Sequence, residues 1–221
     1  MGGWWVHDVY QNQGAAGVVS WAFWVIFSIV LHELAHGWAA LWQGDDTPRR
    51  LHRMTWNPLV HMGPMSLMMF ALIGIAWGLM PTDPSKYRWK RRGRIVVAGA
   101  GPAMNIVLFL LAGFALALWT RYGSQADPLG PNMTYFLHVG AFLNLALAGL
   151  NLLPIPPLDG SGILSGISFR WHQWMQNPQF VMAGFFIVLA VFISGVGVWL
   201  FLGALEATRA YTQFVVDLLP G

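Results

Sequence analysis

Apolar residues gather into five runs, roughly 17–42, 63–80, 95–119, 135–153 and 179–205, and the segments between them hold nearly all of the charge. Most of these runs reach the ~20 residues that an α-helix needs to cross a hydrocarbon core at about 1.5 Å per residue. In a bilayer the backbone must satisfy its own N–H and C=O groups, so such runs imply helices rather than open strands. Trp38 and Trp42 close the first run, and residues 1–15, with Trp4, Trp5, His7, Asp8 and Tyr10, mix aromatic and polar groups as interfacial segments do. The pattern predicts an all-α polytopic membrane protein with about four to six transmembrane helices. All of it reads as one integral-membrane domain, 1–221, with a core at about 17–168 and an extra C-terminal span at about 179–206.

The run at 63–80 is ambiguous. Its 18 residues sit at the lower limit for a span, and Gly63, Pro64, Gly74 and Gly78 loosen it. The flanking segments 43–62 (three basic, two acidic) and 81–94 (six basic, one acidic) are both net basic, which favours one common face and therefore a re-entrant segment over a true crossing. Segment 43–62 reads as an interfacial loop or short strand, and the stretch with Arg170, Trp171, His172 and Trp174 as an interfacial loop. The 121–132 loop, acidic at Asp127, suits the opposite face. Pro154, Pro156 and Pro157 cannot continue a helix and favour an extended segment of about 3.1 Å per residue.

Composition narrows the classes. Hydrophobic residues make up 56% and charged ones only 10%, against about 25% charged in soluble domains, so the chain belongs in the lipid bilayer. Of twelve Lys and Arg, six lie at Lys86, Arg88, Lys90, Arg91, Arg92 and Arg94. That cluster is a topology signal facing anionic headgroups, not a nucleic-acid surface. With no cysteine there are no disulfides and no thiolate ligands, so a zinc ion would have to use histidine and carboxylate. No basic region precedes the first apolar run, so no cleavable signal peptide is expected. Neither an internal repeat nor room for an appended soluble domain is evident.

Chemistry enters with His32-Glu33-Leu34-Ala35-His36, set inside the first apolar run. On a helix the two histidines lie four residues apart on one face, one turn above the other, and can share a metal ion. In H-E-x-x-H hydrolases the histidines ligate zinc and the glutamate takes a proton from water. The bland alternative is three polar groups satisfying one another in a bundle. It is weakened here because a glutamate within a bilayer is costly and marks a functional site by default. His61, in a proline-bounded segment, is a possible third ligand, although a hydrogen-bonded histidine is the simpler reading. Asp159 might merely cap a short helix at 160–168. Beside His32 and His36 it becomes the better candidate, because catalytic zinc wants three protein ligands and Asp159 is the sole acid between Asp127 and Glu206. Small residues at 98–101 and 103 allow close helix approach, and Pro102 frees a carbonyl that buried Asn105 or a neighbour can engage.

His-Glu-Leu-Ala-His at 32–36 together with Asn-Leu-Leu-Pro-Ile-Pro-Pro-Leu-Asp-Gly at 151–160 resembles the site-2 protease family of intramembrane zinc metalloproteases. The resemblance spans about 20–165 and includes Asn57-Pro58-Leu59 and the Ala-Gly-Pro-x-x-Asn stretch ending at Asn105. It implies a three-helix catalytic core, one zinc ion on His32, His36 and Asp159, Glu33 as general base, and Asn151 and Asn105 positioning substrate. It also implies a transmembrane protein substrate and a prokaryotic inner membrane. Ser161 stands where many members have a second glycine, and no inserted regulatory domain is seen. Two other classes fit the polar cluster alone: a polytopic transporter or metal-handling channel, which lacks an inverted repeat here, and an inactive helix-binding scaffold.

Overall fold

A computed structural model describes residues 4–195 and 197–220, so the outermost residues of the expected interfacial segment and of the single domain, and Val196 of the last expected span, lie outside the described residues. Nine α-helices run in order among the described residues: α1 (Trp5–Trp42), α2 (Thr47–Arg50), α3 (Pro58–Ile73), α4 (Lys90–Tyr122), α5 (Leu129–Asn151), α6 (Asp159–Ile167), α7 (Phe169–Met175), α8 (Pro178–Ile193) and α9 (Gly197–Leu218). Three of them, α1, α4 and α5, are long and apolar enough to cross a membrane, and α7 with α8, bent by 89°, makes a fourth if the pair is one span. The protein is an all-α polytopic membrane protein, as its hydrophobic pattern implies.

At the centre lies α4, packed against α1, α5, α6 and α9. Between α1, α3, α4 and α5 sits an apolar core that includes Trp24, Val25, Ile29, Met62, Phe70, Phe109, Val139 and Leu143. Enclosed on every side, α1 is buried from Ser28 through Gly37, which is why its sequence there is apolar all round apart from the His/Glu/His group and Ser28.

Helix α1 starts earlier than the apolar pattern implies. Its 38 residues would span about 57 Å if straight, far more than the ~30 Å hydrocarbon core. Gly14, at φ 66° and ψ −166°, breaks it and re-aims the first two turns. Trp4, just before those turns, and Trp5 donate their indole N–H groups to the Ala71 and Phe70 carbonyls (2.8 and 2.9 Å) in the last turn of α3, where the Phe70 carbonyl also accepts from the Gly74 N–H (2.9 Å).

The 63–80 run is re-entrant. Gly63 (φ 69°) and Pro64 interrupt α3 after one turn, and the helix stops at Gly74 in the left-handed region (φ 77°). The chain then returns without helix: Leu79 N–H donates to the His61 carbonyl (3.0 Å), and Ser66 Oγ bonds Trp77 through both its amide and its carbonyl (2.8 and 2.7 Å). Entry and exit are tied together by Lys86 Nζ to Asp46 Oδ1 (2.6 Å), Asp83 N–H to Asp45 Oδ2 (2.6 Å) and Arg88 N–H to the Gln43 carbonyl (2.7 Å). Asp46 and Asp83 are held below the usual carboxylate range, Asp46 by its Lys86 bond and Asp83 by hydrogen bonds from Ser85. Arg91 reaches the Gly166 and Ile167 carbonyls, so the end of α6 shares this face. At the opposite end Arg121 and Tyr122 donate to the Pro220 carbonyl, bringing Pro220 to the end of α4 that leads into the acidic loop.

Four expectations change. The proline-rich stretch 152–158 is not extended but a run of turns, with Leu152, Leu153, Ile155 and Leu158 N–H bonded to carbonyls two to four residues back. Segment 43–62 contains the helical turn α2 and no strand among its described residues. Residues 170–174 are helical, in α7. The single span expected at 179–205 is two helices, α8 and α9, parted near Gly195, whose φ of 77° a helix cannot hold.

Candidate metal centre

Helix geometry does what the His-x-x-x-His spacing requires: the His32 and His36 Nε2 atoms lie 3.0 Å apart on one face of α1, both residues 8% exposed. Asp159, the first residue of α6, is carried to them by the turns that follow α5. Its Oδ2 is 3.0 Å from His32 Nε2 and its Oδ1 3.3 Å from His36 Nε2. The carboxylate does not cap its own helix, so the capping alternative does not hold. Among the described residues these three form a group with metal-ligand geometry, all ligand atoms lying within 4.8 Å of one another. His61 is not part of it: its Nε2 donates to the Thr55 carbonyl (2.6 Å).

The orientation of the imidazoles decides what the site can hold. His36 Nδ1 donates to the Val97 carbonyl (2.7 Å), and His32 Nδ1 donates to Asn105 Oδ1 (2.6 Å). With both Nδ1 atoms protonated, both Nε2 atoms present lone pairs to each other and to a carboxylate. Asp159 Oδ2 is buried with no hydrogen bond, although His32 Nε2 lies beside it. Two lone pairs and an anion facing one another in an apolar interior repel unless a proton or a metal cation sits between them. Tetrahedral zinc at about 2.0–2.2 Å from N and O ligands sets them about 3.4 Å apart, close to the 3.0–3.3 Å separations here. The residues fit the ion.

Three glycines make the fit possible. A Cβ at Gly101 of α4 would collide with the Nε2 atoms of both histidines, so bare backbone forms the site's wall. One at Gly160 would strike the Leu152 and Leu153 carbonyls, fixing how tightly α6 follows the loop that delivers Asp159. One at Gly78, on the returning arm of the re-entrant segment, would lie 2.5 Å from Glu33 Oε1. Glu33 is 7% exposed, on the turn of α1 that bears the histidines and under that arm.

Of the two asparagines expected to position substrate, Asn105 is fully buried and engaged at both ends, accepting from His32 and donating to Asn144 Oδ1 (2.9 Å). Asn151 Nδ2 donates to the Leu147 carbonyl of its own helix (3.0 Å), and among the described residues no hydrogen bond joins it to the histidines. The sequence reading passed over Asn144, Val97 and the roles of Gly78 and Gly101. An asparagine in mid-span, as Asn144 is, was the available signal for the first. Nothing in the sequence marks a backbone carbonyl as a partner.

Comparison with known proteins bears on this arrangement. The model of Peptidase family M50 matches residues 124–195, the stretch that contains Asp159. "Putative zinc metalloprotease YwhC" of Bacillus subtilis is 30% identical over 187 residues, 84% of this chain and 85% of its own length. The chain belongs to peptidase family M50. It is therefore a protease, in keeping with the site-2 protease resemblance of its two motifs. Similar too are "Putative zinc metalloprotease Rip2" of Mycolicibacterium smegmatis, 33% identical over 63% of this chain and 53% of its own, and "Putative zinc metalloprotease MJ0611" of Methanocaldococcus jannaschii, 30% identical over 64% and 67%. No solved structure matches the chain. A transporter or channel reading finds no support in these likenesses.

Proposed function

We propose that this M50 peptidase is a zinc-dependent intramembrane endopeptidase, holding one zinc ion on His32, His36 and Asp159 and cutting transmembrane helices of other proteins. The observation that carries the reading is the convergence of the two histidine Nε2 atoms and the Asp159 carboxylate, whose Oδ2 is buried without a hydrogen bond, on one point beside α1. Counted back from Gln43, that point lies roughly 10–16 Å inside the helix end, within the hydrocarbon slab. The relatives' names, which call them zinc metalloproteases, favour zinc over other divalent ions.

A zinc ion there would act as a Lewis acid, lowering the pKa of a water and polarising the scissile carbonyl. The chain's own residues do the rest. Glu33 takes the water's proton and later hands it to the leaving amine, and burial beneath Gly78 keeps bulk solvent from competing for it. Asn105 and the Val97 carbonyl hold the imidazoles so that Nε2 points inward. A substrate helix must unwind locally before cleavage, because a helical carbonyl is hydrogen-bonded and shielded. The basic residues near 49–53 and 86–94 would put this face in the cytoplasm of a prokaryotic inner membrane.

Glu33→Gln tests the reading. The purified variant should retain zinc while losing cleavage of a transmembrane test substrate; undiminished cleavage would refute the mechanism.

A further inference from the structure

Behind His32 runs a line of three hydrogen bonds that ends on a backbone carbonyl. His32 Nδ1 donates to Asn105 Oδ1 (2.6 Å), Asn105 Nδ2 to Asn144 Oδ1 (2.9 Å), and Asn144 Nδ2 to the Gly140 carbonyl (2.8 Å). Both asparagines have no exposed surface, and they join α1 to α5 through α4.

The direction of this line is forced from its far end. A carbonyl only accepts, so Asn144 must turn its NH2 to Gly140 and its oxygen to Asn105. That oxygen can be met only by the NH2 of Asn105, whose own oxygen must then face His32. An oxygen at that place can only accept, so Nδ1 of His32 carries a proton, and in the neutral imidazole that a metal requires the lone pair is on Nε2. Turning any one amide over would set oxygen against oxygen or N–H against N–H in a buried, apolar setting, where an unmade hydrogen bond is costly.

We propose that Asn144 is a positioning residue for the metal site: from α5 it polarises Asn105 and thereby fixes the His32 tautomer that can ligate a metal. This inference rests on the zinc reading above. Without Asn144 nothing orients the Asn105 amide, and its NH2 can turn to His32. A donor in that place selects the tautomer with hydrogen on Nε2, which is closed to metal. Outer partners of ligating histidines typically change metal affinity by about 10–100-fold, and Asn144 works one residue beyond such a partner.

The test is zinc affinity of the full chain in detergent, by competition with a chromophoric chelator. Asn144→Leu should weaken zinc by about 10-fold or more. Asn144→Asp should stay within about threefold of wild type, because a carboxyl protonated on the oxygen that faces the Gly140 carbonyl donates there and still accepts from Asn105 Nδ2. In an Asn105→Ala background the Asn144→Leu loss should vanish, as it must when one residue acts only through the other. Asn144→Ala serves in the same scheme if leucine unfolds the chain. Wild-type affinity in Asn144→Leu, equal losses in the Leu and Asp variants, or a loss that persists without Asn105 would each overturn the proposal. His32→Ala separates the two claims: a wild type that binds zinc no better than His32→Ala fails the zinc reading, whereas tight binding indifferent to residue 144 fails this inference alone.

Discussion

Alanine at position 101 adds one methyl group where the backbone of α4 meets the metal ligands. Its Cβ would lie 2.5 Å from His32 Nε2 and closer still to His36 Nε2, whereas ordinary contact begins at 3.4 Å. The imidazoles of His32 and His36 would have to withdraw by about 0.9 and 1.1 Å, several times the ~0.2 Å tolerance of a metal–ligand bond. In an ordinary helix interior, Gly→Ala stabilises by roughly 1 kcal/mol, so the fold should tolerate the change while the site does not. We expect zinc affinity to fall by about 100-fold or more, near 3 kcal/mol at ~1.4 kcal/mol per tenfold, with peptidase activity falling at least as far. Gly99→Ala is the control, since its Cβ meets nothing nearer than Ile163 Cδ1 at 3.9 Å and should leave both unchanged. Chelator competition and helical circular dichroism on the two variants make the assay. Wild-type zinc affinity in Gly101→Ala would refute the placement of α4 against the histidines.

Gly78→Ala pushes on Glu33 rather than on the ligands, so zinc content should hold while kcat for a transmembrane substrate falls by about 10-fold or more. Replacing Trp4 and Trp5 together by Phe removes both indole donors from the end of α3, and amide exchange should quicken at residues 70–74 with none at 97–105. Tyr87 is buried, which pushes its hydroxyl up to about 12. A raised folded-state pKa means that this group contributes stability in full below about pH 10 and loses it as pH rises towards 12. An absorbance titration should therefore contain a tyrosine step near pH 12 that Tyr87→Phe removes.

The fold was legible where hydrophobicity alone decides it. Length and apolarity marked α1, α4 and α5, and matching charge in the 43–62 and 81–94 segments marked the re-entrant run, because lipid leaves few ways to bury a backbone. The break between α8 and α9 was not legible, since Gly195 lies within an unbroken apolar stretch and only its left-handed conformation ends the helix. Nor was the start of α1, where polar residues hid a helix held by the Trp4 and Trp5 bonds. At the site, residue type and spacing brought out His32, Glu33, His36 and Asp159. Gly78, Gly101 and the Val97 carbonyl stayed hidden because bare backbone carries no chemical signature. Asn105 drew notice as a substrate contact, but its bonds run to His32 and Asn144.

Zinc-edge X-ray absorption of the purified protein, wild type beside Asp159→Ala, tests the central claim most directly. The account predicts about one zinc per chain, with two imidazole nitrogens and a carboxylate oxygen at about 2.0–2.2 Å, and loss of that signal in Asp159→Ala. A wild-type chain without zinc, or a zinc environment untouched by Asp159→Ala, would contradict it.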